Sequence, residues 1–145
     1  MSRAKDDGVL IVSNLDLGDN TFDSDRGSWN TTRAIRDCLT GQHGDTYVFQ
    51  VTEMMPNIAN VDIDEAKVAA MLADKDSLLA SPPLVFVEDD GKIWLIDGHH
   101  RLHAMARLGY AELAGYVIES RNAERYRVLF NGRRIAPWYE KRRRK

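Results

Sequence analysis

The residues whose types and spacing suit chemistry gather in one short run, Asp97-Gly98-His99-His100-Arg101. An apolar stretch, Ile93-Trp94-Leu95-Ile96, leads into it, and a stretch with helical spacing follows. The first backbone N–H groups of a helix have no acceptor inside the helix. Those donors, with the positive end of the helix dipole, favour an anion. Glycine at position 98 takes away the side chain that would block close approach. His100 and Arg101 add donors at the same end, and a guanidinium can hold two oxygens at once. The chemistry expected of this corner is phosphate binding. Other readings of the same residues stand beside it. Asp97 serves equally as a plain helix N-cap. His99 and His100 could be structural or surface histidines. His99 and His103, four residues apart, could also present two imidazoles to a metal.

Elements must position this corner, and the periodicity supplies them. Leu84–Val87 reads as a buried strand, Asp89-Asp90-Gly91-Lys92 as a hairpin turn and Ile93–Ile96 as the returning strand. A helix beginning at Asp97 or Gly98 buries Leu102, Met105 and Ala106 and ends at Gly109. Upstream, Asp62 or Asp64 caps a helix carrying Ala66, Val68, Ala69, Met71, Leu72 and Ala73, which Ser81-Pro82-Pro83 stops. Val9–Val12, Tyr47–Thr52 and Leu113–Ile118 read as strands. Asp16–Asn30, rich in Asp, Asn, Gly and Ser, reads as a loop whose Trp29 docks on the core. Thr31 or Thr32 caps a helix through Ala34, Ile35, Cys38 and Leu39, and Met54–Val61 is irregular. Asn122 caps a last helix through Phe130, stopped by Asn131-Gly132. The expected fold is α/β, of the α+β kind: a small mixed sheet with packed helices.

Composition bounds the rest. The chain's 145 residues suit one domain, 43% of them hydrophobic and 29% charged, as in a globular protein. No apolar run approaches the length of a bilayer span, so no membrane partner is expected. One cysteine, Cys38, rules out an intramolecular disulfide and a cysteine-built zinc site. The N-terminal apolar run is too short for a signal-peptide core, and a cytoplasmic location is expected. Arg133–Lys145 holds seven Lys/Arg against one Glu, while the remainder holds 13 against 21 acidic residues. An acidic body does not suit broad contact with duplex DNA. The basic tail, residues 139–145, could touch a polyanion or be a solvated terminus.

On these residues the chain resembles the ParB/sulfiredoxin superfamily, from about Val51 to Trp138. Ile93-Trp94-Leu95-Ile96-Asp97-Gly98-His99-His100-Arg101-Leu102-His103-Ala104 is similar to sulfiredoxin's strand, Gly-x-His-Arg turn and alanine-rich helix. ParB-type CTPases carry Gly-Glu-Arg-Arg at that place, and free-serine kinases of the same fold a related His-Arg turn. Asp64-Glu65-Ala66-Lys67-Val68 is similar to the sulfiredoxin helix whose lysine contacts ATP phosphate. Arg127-Val128-Leu129-Phe130-Asn131-Gly132 resembles that family's C-terminal helix end. The resemblance implies a ParB/sulfiredoxin-like domain over 51–138, with residues 1–50 an extension packed on it. It implies that Lys67, His100 and Arg101 bind nucleotide phosphates and that Gly98 permits their approach. His99 stands where sulfiredoxin has its catalytic cysteine, which argues against sulfinic-acid repair. The ParB glutamate is missing, and no helix-turn-helix follows Trp138.

The function expected from this combination is nucleotide-dependent phosphoryl transfer or hydrolysis, with ATP or CTP as the nucleotide and Mg²⁺ assisting. Asp97, Asp62, Asp64 and Glu53 are candidates to hold the metal or act as base. Asp62 and Asp64 also read as helix caps, and Glu53 as an exposed strand end. His99, with an ordinary pKa near neutrality, is a candidate acid or base. The alternatives are a DNA-directed ParB-like protein, a nuclease or DNA-modification factor, and a non-catalytic nucleotide-sensing module.

Overall fold

A four-stranded mixed sheet positions the candidate corner. The computed structural model describes residues 11–24, 27–55 and 63–130, and the backbone of 133–134. Asp62, the Asn131-Gly132 stop and the basic tail 139–145 lie outside the described residues. The elements are β1 (Val12–Ser13), β2 (Thr21–Ser24), β3 (Gly27–Asn30), α1 (Thr31–Leu39), β4 (Tyr47–Gln50), α2 (Val51–Met54), α3 (Glu65–Ala73) and α4 (Lys75–Leu79). After these come β5 (Leu84–Asp89), β6 (Lys92–Asp97), α5 (His99–Arg107), β7 (Glu112–Ile118), α6 (Ser120–Ala123), a 3₁₀ turn (Glu124–Tyr126), β8 (Leu129–Phe130) and β9 (Arg133–Arg134). The fold is α+β.

The sheet order is β4-β7-β5-β6. β5 and β6 form an antiparallel hairpin, and Asp90 and Gly91 turn it with φ of 58° and 76°. Both residues of such a turn need positive φ, which is why Asp-Gly makes it. The register shifts near its end, leaving an extra residue in β6 just before Asp97. Bulges of this kind re-aim side chains beside sites. β5 runs parallel to β7, with β6 and α5 in the crossover. β5 is buried on both faces, from Leu84 to Val87, and its residues alternate between two cores. Val85 and Val87 join Ile96, Ile118, Cys38, Ala34 and Trp29 on one side. Leu84 and Phe86 join Leu95, Leu102, Val51 and Met54 on the other. A third cluster, Val68, Leu78, Ala104 and Met105, ties α3 and α4 to α5. Fully burying one of the Val, Leu, Ile, Phe or Met side chains is worth about 1.5–3 kcal/mol.

Several sequence expectations change. The stretch Asp16–Asn30 is not all loop: β2 and β3 pair antiparallel, with Phe22 opposite Trp29. Composition hides this hairpin because polar side chains hold it, Ser28 Oγ donating to Asp23 Oδ1 at 2.5 Å. Trp29 does dock on the core and is fully buried. The strand expected over Val9–Val12 is observed at Val12–Ser13, and positions 9–10 are outside the described residues. The strand expected over Tyr47–Thr52 stops at Gln50, and Val51–Met54 is helical. The helix expected to run to Ser81 breaks at Asp74. Asp74 ends α3 and caps α4, its side chain accepting from the Ser77 backbone N–H. A competing side-chain acceptor of this sort is how aspartate interrupts helices.

The last helix is also corrected. α6 and the 3₁₀ turn end at Tyr126, and Arg127 is extended, at φ −80° and ψ 127°. Burial decides the change. The Arg127 side chain is fully buried, its Cζ 4.1 Å from the Trp29 ring centroid. Its Nε donates to Glu124 Oε2 at 2.9 Å. Its Nη2 lies 3.1 Å from Asp89 Oδ2, an ion pair by distance but outside hydrogen-bond geometry. The backbone then joins the N-terminal hairpin, Val128 N–H donating to Ser28 O.

Candidate functional site

The corner is built where β6 leaves the sheet. Gly98 is the N-cap of α5, with φ of 110° and ψ of 18°. A side chain there is strained by conformation alone. It would also collide: a Cβ on Gly98 would overlap Leu84 Cδ2 and sit 3.1 Å from Arg101 Nη2. The glycine therefore has a structural role of its own. It lets the chain turn from β6 into α5 while resting against Leu84. No side chain caps α5. Leu102 N–H makes the first helical bond, to Gly98 O at 2.8 Å. The preceding N–H groups, of His99, His100 and Arg101, are the orphan donors of this terminus.

Asp97 is not the N-cap. Its Oδ2 accepts from Arg101 Nη2 at 2.5 Å. Arg101 Nη1 donates to Pro82 O. The guanidinium is thus tethered at the uncapped end of α5, with its side chain 14% exposed. Burial raises the Asp97 carboxyl above its ordinary value, and the charge and hydrogen bond of Arg101 oppose that rise.

His100 reaches a second helix. The Asp64 backbone N–H donates to His100 Nε2 at 3.1 Å. That bond requires Nε2 to carry no proton, so in the neutral ring Nδ1–H is the free donor. Asp64 is the N-cap of α3, its Oδ1 accepting from Ala66 and Lys67 N–H at 3.0 and 3.4 Å. The contact brings the first turn of α3, which carries Lys67, against α5. Lys67 itself is exposed. Glu65 strengthens the docking through Arg107, Oε1 to Nη1 at 2.8 Å.

His99 departs from expectation. It is buried, 6% exposed, and its ring stacks on Phe22 of β2 at 4.6 Å. Burial, with the neighbouring His100 and His103, pushes its pKa down to about 4. At neutral pH it is an uncharged imidazole, so the near-neutral acid–base titration read from its residue type is corrected. The shift has a stability consequence. Between about pH 6.5 and about 4 the unfolded chain takes up a proton that folded His99 refuses, so stability falls as pH falls through that window. The full shift corresponds to about 3 kcal/mol. His99→Phe, which keeps a ring against Phe22, is expected to remove that part of the acid loss in denaturant unfolding at pH 7 and pH 4. Parallel losses in wild type and variant would contradict the assignment.

Among the described residues the metal candidates are not gathered, and Asp62 lies outside them. The Asp64 carboxylate is committed to capping and the Asp97 carboxylate to Arg101. Glu53 lies exposed on α2. Among the described residues no group of three or more His, Cys, Asp or Glu side chains is placed to hold a metal ion. The described carboxylates Asp64, Asp97 and Glu53 do not by themselves form a Mg²⁺ site. His103 Nε2 is buried without a hydrogen-bond partner.

The structure thus brings Asp97, Gly98, Arg101, His100 and, through Asp64, the Lys67 turn to one end of α5. The anchoring of Arg101 on Pro82 O was not visible in the sequence, although the Ser-Pro-Pro stop marked that loop. No described helix is long and apolar enough to cross a membrane. Comparison with protein-family models and with curated proteins finds no match to this chain.

Proposed function

We propose that this chain binds the phosphate groups of a nucleotide, ATP or CTP, at the N-terminus of α5 and there transfers or hydrolyses a phosphoryl group, in the manner of a ParB/sulfiredoxin-like enzyme. The observation that carries the reading is the uncapped α5 terminus at Gly98 with the Arg101 guanidinium tethered beside it. An anion there meets oriented N–H groups, a helix dipole and a fixed fork of donors. His100 offers Nδ1–H while its Nε2 stays on Asp64. Lys67, in the first turn of α3, adds a positive charge from a second element. Phosphoryl transfer asks mainly for such charge neutralisation and positioning. Asp97, with its raised proton affinity, is the base this geometry favours. His99, buried and uncharged, walls the site on the β2 side. Mg²⁺ would add charge neutralisation on the phosphates.

Arg101→Ala is expected to weaken ATP or CTP binding about 10- to 100-fold by calorimetry, the loss of one charge-assisted fork. Arg101→Lys keeps the charge without the fork and should fall between. Equal binding by wild type and Arg101→Ala would refute the site.

A further inference from the structure

A half-open cavity of about 180 Å³ lies where the second and third apolar clusters meet. Leu78, Pro82, Leu84, Met105 and Leu113 line it, and Arg101 is the one charged side chain in its wall. A simple packing defect would be apolar throughout. This one has in its wall a guanidinium whose orientation is fixed by Pro82 O and Asp97. An arginine has five N–H donors. Two of those on Arg101 have acceptors among the described residues. Arg101 lines the cavity with its side chain 14% exposed, and a ligand acceptor gains most on a donor so far removed from water. An apolar void of about 150 Å³ is enough to take benzene. The space therefore suits one six-membered ring or a branched chain of similar bulk.

We infer that this cavity binds a small carboxylic acid with a single-ring or short branched body, its carboxylate on the unused donors of Arg101 and its body against Leu78, Leu84 and Met105. A guanidinium can serve two carboxylates on different edges, and Asp97 keeps the fork in place. The site shares Arg101 with the nucleotide reading but does not depend on it.

The probe is benzoate, titrated into protein carrying ¹³C-labelled leucine and methionine methyls, with benzyl alcohol as the uncharged match. Benzoate is expected to shift the Leu78, Leu84 and Met105 methyls saturably, with millimolar affinity, and to bind about tenfold more tightly than benzyl alcohol. Leu79 also lines the cavity and is 52% exposed, so Leu79→Trp can crowd the mouth without entering the core. That variant is expected to weaken benzoate about tenfold while leaving nucleotide binding unchanged. No saturable shift up to about 20 mM, equal affinity for the alcohol, or full binding by a folded Leu79→Trp protein would each overturn the inference. Nucleotide binding without benzoate binding would sink this site alone. Benzoate binding without nucleotide binding would sink only the nucleotide reading.

Discussion

Gly98→Ala is expected to destabilise the protein by about 3 kcal/mol and to abolish anion binding at α5. Two effects add. Holding a non-glycine residue in a sparsely populated left-handed conformation costs about 1–3 kcal/mol. Forcing a methyl group into filled space costs about 1–3 kcal/mol more, and here the filled space is the buried Leu84 side chain. Gly109 separates the two terms. Its φ is 88° and nothing lies within 4 Å of its missing Cβ. Gly109→Ala should therefore show only the conformational part, about 1 kcal/mol. Adding Leu84→Ala to Gly98→Ala should give a coupling of about 1 kcal/mol or more in a double-mutant cycle, because the second change removes the obstruction. Denaturant unfolding of the four variants measures all of this. Equal costs at positions 98 and 109 would show that the contact with Leu84 does not matter.

Arg127→Met is the second large effect, at about 3–5 kcal/mol. The guanidinium is fully buried against Trp29, between Asp89 and Glu124. Methionine restores much of the volume but leaves the Asp89 carboxylate, 13% exposed, without that cation. Removing one partner of a buried pair leaves a charge that the interior cannot solvate. Stacking on Trp29 adds about 1–2 kcal/mol. Arg33 is the matched control. It pairs with Asp16 and Asp19 nearer the surface. Arg33→Met should cost about 1 kcal/mol or less. The Arg127→Met, Asp89→Leu pair should recover part of the loss, since an apolar pair replaces a broken ionic one. If Arg127→Met costs no more than Arg33→Met, the buried arginine does not organise the hairpin and the C-terminal strands.

These two residues show what the sequence could reveal. Gly98 was legible because its role is local: an apolar strand, a glycine, then helical spacing in one continuous stretch. The β5–β6 hairpin and α5 were legible for the same reason. Arg127 was not. Its partners are Trp29, Asp89 and Glu124, of which only Glu124 is near in sequence, and its periodicity fits a helix until burial forces an extended backbone. β2 and β3 escaped because Asp, Ser and Gly suggest a loop, while Trp29 closes the pair through a distant contact. The break at Asp74 escaped because Asp74 is both the end of one helix and the cap of the next. At the site, residue types pointed to the anion corner. They could not show that Arg101 is tethered by Pro82 O and Asp97, or that Asp64 N–H fixes His100. Nor could they show that burial beside Phe22 takes His99 out of the neutral titration range.

Amide chemical shifts read directly the first turn of α5, where the nucleotide phosphates are proposed to sit. Titrating ATP and CTP into ¹⁵N-labelled protein should move the His99, His100 and Arg101 amides saturably and further than any others, and inorganic triphosphate should move the same three. Unmoved amides at about millimolar nucleotide, or saturable shifts confined to other residues, would contradict the account.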